Sequence, residues 1–326
     1  MDRRAFLAAT TGGLLAAPFA TIAQMPAKIA RMGYLALSPR EALPNAVTTI
    51  LARLAELGYI EGQNLIIEFR NADTQDRLQE LAAELVRIRV HVIFAQSPYA
   101  IRAARAATTT LPIVGYDYES DPVASGYAAS LARPGGNLTG VFLDQAELSA
   151  KQLQLLKELV PHLSRVAVLW DPAVATAQRD AVEAAGRRLG VNISPIEWRG
   201  PDALAASLHK ATQDGVQGLI VLSSPRILDR YRRFVTEATL KSRLPAISLL
   251  SNFAKDGLLI AYGPVQPDLF RVAATLVAKI LDGARPGDLP IERPVRFALA
   301  INQRTANTLG IKIPPSLLLR ADEVIQ

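Results

Sequence analysis

Short apolar runs alternate along the chain with longer stretches in which apolar residues return every three or four positions. The runs have strand length and the stretches have helical period. In the first half the runs fall at 31–37, 65–69, 90–95 and 112–118, separated by helical patterns at 45–57, 75–88 and 98–107. A second series has runs at 165–170, 191–198, 218–222 and 245–250, with helical patterns at 174–189, 202–213 and 226–242. Four strands and three helices thus occur twice in the same order, which predicts an α/β fold with two similar parallel sheets. Such sheets bind ligands beyond the carboxyl ends of their strands, where helix N-termini present unpaired N–H groups, so a cleft between the two is the expected site.

Polar residues stand at those strand ends. Gln96-Ser97-Pro98, Asp171-Pro172 and Ser223-Ser224-Pro225 each place a capping residue ahead of a proline suited to the first helical position. Ordinary capping explains any one of them. Three at corresponding ends, together with Ser38 and the stretch 117–121 at two others, predict a polar rim facing one cleft. This rim speaks for binding and says nothing of catalysis. Acidic pairs such as Asp117 with Glu119, or Glu119 with Asp121, lack a partner base or nucleophile motif and are better read as holding a cation.

Composition narrows the class. At 326 residues and 50% hydrophobic, the chain can build two cores of ordinary size. The formal charge is +6, and removal of the first 23 residues, with two arginines and one aspartate, leaves +5. The basic residues are scattered, so nucleic acid is not an expected partner; the densest run, Arg226, Arg230, Arg232 and Arg233, reads as a solvated helix face. There are no cysteines, which excludes disulfides, a thiol nucleophile and a lipidated cysteine anchor. No G-x-S-x-G elbow, P-loop or dinucleotide fingerprint occurs, and His91, His162 and His209 have no ligand-type spacing. Neither an enzyme nor a cofactor or metal is expected. Arg3 and Arg4, followed by an uncharged stretch from 5 to 23 that ends in small residues, resemble a twin-arginine export signal cleaved near Ala23. Localisation in the periplasm, free of a lipid anchor, follows as the expectation.

The stretch Glu56-Leu57-Gly58-Tyr59-Ile60-Glu61-Gly62-Gln63-Asn64 resembles that of the ABC transporter substrate-binding proteins of the tryptophan/tyrosine type. So do Asp121-Pro122-Val123, Ser130-Leu131-Ala132-Arg133-Pro134-Gly135-Gly136-Asn137-Leu138-Thr139-Gly140, Ala261-Tyr262-Gly263-Pro264 and the stretch from Pro314-Pro315-Ser316-Leu317 to Arg320-Ala321-Asp322-Glu323-Val324-Ile325. The similarity covers nearly the whole mature chain. It implies a periplasmic-binding-protein fold of type I kind, with two Rossmann-like lobes and a multi-strand hinge. The first lobe would hold 29–140 and 258–290, the second 141–257 and 291–326. The chain would leave the first lobe near 138–143, return near 258–263, and cross again before 297–301. The implied function is that of a monomeric solute-binding protein that closes around one small molecule and presents it to an ABC permease in the inner membrane. The alternative is a periplasmic sensor that shows its bound form to a separate receptor.

Within this frame an amino acid or related zwitterion fits best. Its anionic group is expected on the helix-start N–H groups at Ser97 to Ala100 and at Ser223 and Ser224. Asp121 or Asp117 would take its ammonium, with Tyr118, Tyr99 and Tyr262 as walls. Ser38, Ser120 and Asp171 complete the expected rim.

Overall fold

The computed structural model describes residues 29–72, 74–143 and 145–326; the export signal expected at 1–23 lies outside the described residues. Five strands, β1 (Ala30–Ala36), β2 (Leu65–Asn71), β3 (Val92–Gln96), β4 (Ile113–Asp117) and β5 (Leu138–Phe142), make the first sheet. Their order is β2-β1-β3-β4-β5 and every pairing is parallel. The inner strands β3 and β4 are buried along their whole length and read as unbroken apolar runs, whereas the edge strand β2 is only partly covered and carries Glu68, Arg70 and Asn71. Helix α1 (Pro44–Glu56) covers one face of this sheet, and α2 (Gln75–Arg87) and α3 (Pro98–Ala107) pack together on the other.

The second sheet holds β6 (Arg165–Trp170), β7 (Asn192–Glu197), β8 (Gly218–Val221), β9 (Ala246–Ser248), β10 (Ile260–Pro264), β11 (Phe297–Asn302) and β12 (Glu323–Ile325). The order is β12-β11-β10-β9-β8-β6-β7, with only β10 and β11 antiparallel. Helices α4 (Gln145–Leu159) and α5 (Thr176–Leu189) lie on one face, and α6 (Pro201–Gln213), α7 (Arg232–Lys241) and α8 (Ser251–Asp256) on the other. The helical pattern expected at 226–242 divides here into a π-helical turn, Arg226–Arg230, followed by α7. Two lobes of α/β construction result, as the alternating pattern predicts.

The crossings between lobes differ from those expected. Residues 258–264 belong to the second sheet, because α8 returns the chain beside β9 and β10 pairs with it in parallel, Ile260 opposite Ile247. The chain regains the first lobe only with α9 (Gln266–Leu281), which packs on α1 and under β3, β4 and β5. Strand β5 stays in the first sheet as far as Phe142, and Glu292 still bridges to Val141 before β11 begins.

Several family-like stretches prove to be bracing. Asn64 closes its loop by taking the Ile60 N–H at 2.7 Å and donating to the Gly58 carbonyl at 2.8 Å. Tyr59 donates to Asp282 at 2.6 Å, and Arg40 makes a two-pronged bond to Glu61 at 2.9 and 2.7 Å. The Thr139 hydroxyl reaches the carbonyls of Leu289 and Pro290, which ties β5 to the returning segment. At Gly140 a Cβ would stand 2.0 Å from the Gly115 carbonyl oxygen, so only glycine lets β4 and β5 approach. Gly136, in the same run, has open space around it. Gly140→Ala is therefore expected to cost about 3 kcal/mol, the upper range for overpacking, while Gly136→Ala changes stability by less than about 0.5 kcal/mol. Denaturant unfolding of the two variants checks this, and equal midpoints would contradict it.

Candidate functional site

The carboxyl ends of β3 and β4 meet the π-helical turn of the second lobe at a closed seam. Gln96, Ser97, Tyr116, Tyr118 and Glu119 from the first lobe, Pro225, Leu228 and Asp229 from the second, and Gln266 at the start of α9 surround a cavity of about 20 Å³. That is room for one water molecule. Gln96, Asp229 and Gln266 also line a wider mouth of about 380 Å³, together with Glu41, Asn252, Phe270 and the arginines Arg230, Arg232 and Arg233. The lobes touch through the Ser223 hydroxyl, which donates to Glu119, and through Arg226, whose guanidinium lies 5.4 Å from the centre of the Tyr99 ring.

Aromatic packing fixes the inner wall. Tyr116 stacks on Phe270 with ring centres 4.4 Å apart and planes 9° apart, and its hydroxyl meets that of Tyr118. Tyr34 lies under Gln96 and donates to its Oε1 at 2.5 Å, which commits the amide oxygen and leaves the N–H groups as its donors for the cavity. Ser97 caps α3 with φ of 116°, a backbone region that side chains other than glycine rarely enter. Its N–H donates to the Tyr116 carbonyl at 2.9 Å, so the strained residue is held in place between β4 and α3.

The seam is acidic. Asp117 is buried; its Oδ1 takes the N–H groups of Glu119 and Ser120 at 2.7 and 3.2 Å, and its Oδ2 has no hydrogen-bond partner among the described residues. Burial raises the Asp117 pKa above the usual carboxylate range. Glu119 is pushed well above it by burial first and by the Asp117 charge second. Burial also brings Asp229 up to about 7, against a smaller opposing pull from Arg232. Arg232 is itself engaged by Asp256 at 2.6 Å. Two carboxyl groups, Glu119 and Asp229, therefore line one small cavity, and the Asp117 carboxyl is buried close enough to Glu119 to oppose its ionisation. Among the described residues no group of three or more His, Asp or Glu side chains is placed to hold a metal ion.

The expected rim is partly assembled. Ser97, Tyr118 and, through its contact with Glu119, Ser223 belong to the seam. Tyr99 is buried beside it, its ring between Arg102 and Arg226 and its hydroxyl without a partner among the described residues. Ser38 is buried at the end of β1, its hydroxyl likewise unpartnered among the described residues. Other residues are used up internally. The Ala100 N–H is taken by the Ser97 hydroxyl at 3.2 Å, and the Ser223 N–H by Gln178 at 3.0 Å, so neither is the free anion donor that was expected. Ser224 donates to Asp171 at 2.8 Å, a buried pair internal to the second lobe, and Ser120 serves Asp117 through its N–H. Asp121 is a correction: it is exposed, and its Oδ1 accepts the N–H groups of Val123 and Ala124 at 2.8 and 3.1 Å, a turn brace. Tyr262 is another; it stacks on Phe297 with ring centres 6.1 Å apart and lines neither the cavity nor its mouth. The sequence pattern missed Tyr34, Gln96, Tyr116, Asp229 and Gln266 as site residues. Gln96 and Tyr116 had a legible signal, since they occupy strand ends. Asp229 was hidden inside a run of arginines that reads as a solvated face.

A pair of α/β lobes that meet at a polar seam is the architecture of a two-domain binding protein. The chain belongs to the family of ABC transporter substrate binding proteins, which it matches over residues 36–325. A tyrosine-binding protein of Clostridioides difficile (strain R20291) is 25% identical over 286 residues, 86% of this chain and 81% of that protein. Among solved structures, the ABC domain in complex with L-Trp from Streptococcus pneumonia is 24% identical with a TM-score of 0.81, over 91% of this chain and 99% of that one. A substrate binding protein with adhesive properties from Clostridium difficile, in its ligand-free, open form, is 22% identical with a TM-score of 0.66, over 91% and 100%. Among the described residues no helix is long and apolar enough to cross a membrane.

Two outcomes follow from the geometry. Asp121→Asn should lower stability by roughly 1 kcal/mol, the order of a lost hydrogen bond, and leave ligand affinity unchanged within about threefold, a shift of under 1 kcal/mol. Calorimetric titration of the variant decides this, a larger loss restoring Asp121 to the site. Folded Asp229 keeps its proton up to about pH 7, whereas an unfolded aspartate loses it near pH 4. The folded state therefore holds the extra proton between these values, and the ligand-free protein should lose stability as pH rises from about 4 to about 7. Melting curves across that range should show the slope in wild type and a shallower one in Asp229→Asn; identical slopes would contradict the assignment.

Proposed function

We propose that this chain is an extracytoplasmic solute-binding protein that closes on an α-amino acid and hands it to an ABC permease. The observation that carries the reading is the meeting of Glu119 and Asp229 in the cavity at the seam, with buried Asp117 nearby, where burial makes each carboxylate costly until a cation joins it. An ammonium group supplies that charge and three hydrogen-bond donors. The carboxylate of the ligand then points outward, to the mouth where Arg232 and Arg233 stand, and its side chain lies along Phe270. The inner cavity is lined by acids and no base, while arginines stand only at the mouth, beside Glu41 and Asp229, which favours entry of a zwitterion with its ammonium inward. The orientation replaces the helix-start site, where the Ala100 and Ser223 N–H groups are already taken.

Lobe closure is the motion this requires, because an amino acid does not fit in about 20 Å³ and must enter while the lobes are parted. The better superposition on the L-Trp complex than on the open protein accords with a closed arrangement. The names of the tyrosine-binding relative and the L-Trp complex support amino acids as the ligand class.

Calorimetric titration of protein freed of bound ligand, with L-tyrosine, L-tryptophan and other amino acids and with their counterparts lacking the amine, tests the reading. At least one amino acid should bind, its amine-free counterpart should bind weaker by about 2–5 kcal/mol, and Glu119→Gln should cost a similar amount, as for a desolvated charge pair. Equal affinity for the amine-free counterpart would overturn it.

A further inference from the structure

We propose that Tyr99 and Arg226 latch the lobes together: their contact, outside the ligand cavity, sets how often the protein is closed and how long a bound solute stays. The inference rests on the seam being the ligand cleft and assigns positioning residues for its closure.

Tyr99 stands on α3 of the first lobe with its ring between two guanidinium groups. Arg102, on the same helix, lies 4.9 Å from the ring centre, and Arg226, from the π-helical turn of the second lobe, lies 5.4 Å from it. Both are within reach of cation–π attraction, and a planar guanidinium suits an aromatic face. Arg102 keeps its place on α3 in any arrangement of the lobes, whereas Arg226 meets the ring only when they are together. The ring alone takes part, since the Tyr99 hydroxyl is buried without a hydrogen-bond partner among the described residues.

Asp171 sets up the second-lobe side of the latch. Its Oδ2 accepts the Ser224 hydroxyl at 2.8 Å and lies 4.0 Å from the Arg226 guanidinium. Its Oδ1 accepts the Ala173 N–H at 3.0 Å, and its carbonyl accepts the Val174 and Ala175 N–H groups at 3.2 and 2.8 Å, which folds the loop after β6 into a turn. That turn carries Val174 to the first lobe, where it packs on the apolar cluster that contains Tyr99, Ile101 and Ala103. One buried carboxylate thus places a cation and an apolar side chain against the opposite lobe. None of Tyr99, Arg226, Asp171 and Val174 lines the cavity or its mouth. The latch is also distinct from the Ser223 contact with Glu119, since Glu119 does line the cavity. The Arg226 side chain is 43% exposed, so it leaves the ring for water at small cost, as a contact that opens and closes must.

Single-molecule energy transfer on the ligand-free protein tests this without any ligand, so its outcome is separate from whether amino acids bind. The chain has no cysteine, so Gln79→Cys in α2 and Arg187→Cys in α5, both at exposed positions, place one fluorophore on each lobe. Wild type should show a minor compact population beside an open one. Arg226→Met, which keeps an unbranched apolar stem and removes the cation, should reduce the compact fraction about threefold to tenfold, the range of a partly exposed cation–π contact. Tyr99→Leu should do the same, whereas Tyr99→Phe and Arg226→Lys, which keep the ring and the cation, should retain most of it. Where L-tyrosine or L-tryptophan binds wild type, Arg226→Met should release it faster by the same factor with an unchanged association rate. A wild type with no compact population, or one equal to that of Arg226→Met, would overturn the proposal. So would a Tyr99→Phe variant that behaves like Tyr99→Leu, which would place the effect in the hydroxyl.

Discussion

Desolvation of three carboxyl groups at the meeting of the lobes is the constraint on which the rest of this structure turns. Asp117 and Glu119 come from the end of β4 and the turn after it, and Asp229 from the π-helical turn of the opposite lobe, so Asp229 meets Glu119 across the contact between the lobes. A like-charged cluster of this kind opposes closure unless a proton or a cation is present. The lobes thus have a reason to stay apart in the absence of ligand and a reason to meet in its presence. On the proposed function, binding and conformational change are one event, since a ligand shifts the lobes only by binding one arrangement better than the other.

The scaffold holds this cluster in tension. Ser97 is kept at an unfavourable φ beside the cavity by its bond to the Tyr116 carbonyl. The Tyr116–Phe270 stack and the Tyr34–Gln96 bond stiffen the inner wall, and both rest on α9, α1 and the first sheet. The lobes are joined where β5 leads to α4, where β10 leads to α9 and where α9 returns to β11. The Thr139 hydroxyl and the bridge of Val141 to Glu292 tie the first and last of these connections together, so a change at one is felt at the other.

Much of the fold was legible in the sequence because inner strands of parallel sheets are apolar without interruption and their helices carry a clear period. The strands β10, β11 and β12 were harder to read: β12 is three residues long, and β10 and β11 contain proline, glycine or exposed ends that blur the pattern. The residues that carry the family likeness, Tyr59, Glu61, Asn64, Asn137 and Thr139 among them, brace loops and crossings and do not line the cavity. Family membership was therefore easier to see than the site. Asp121 misled because an aspartate before proline suits both a turn and a cleft, while Glu119, two positions earlier, has the contact with Ser223 that depends on the opposite lobe. Asp229 could not be found from local pattern at all. Its neighbours in sequence are arginines, and only the widened π-helical turn and the closed seam reveal what it faces.

The central claim is that these carboxylates receive the cationic end of the ligand. A crystal structure of the protein bound to the solute it retains on purification tests this most directly. The account predicts a basic nitrogen within about 3 Å of Glu119 or Asp229, the distance of a charge-assisted hydrogen bond. A ligand with no basic nitrogen, or one whose nitrogen points to the mouth while its anionic group faces the acids, would contradict it.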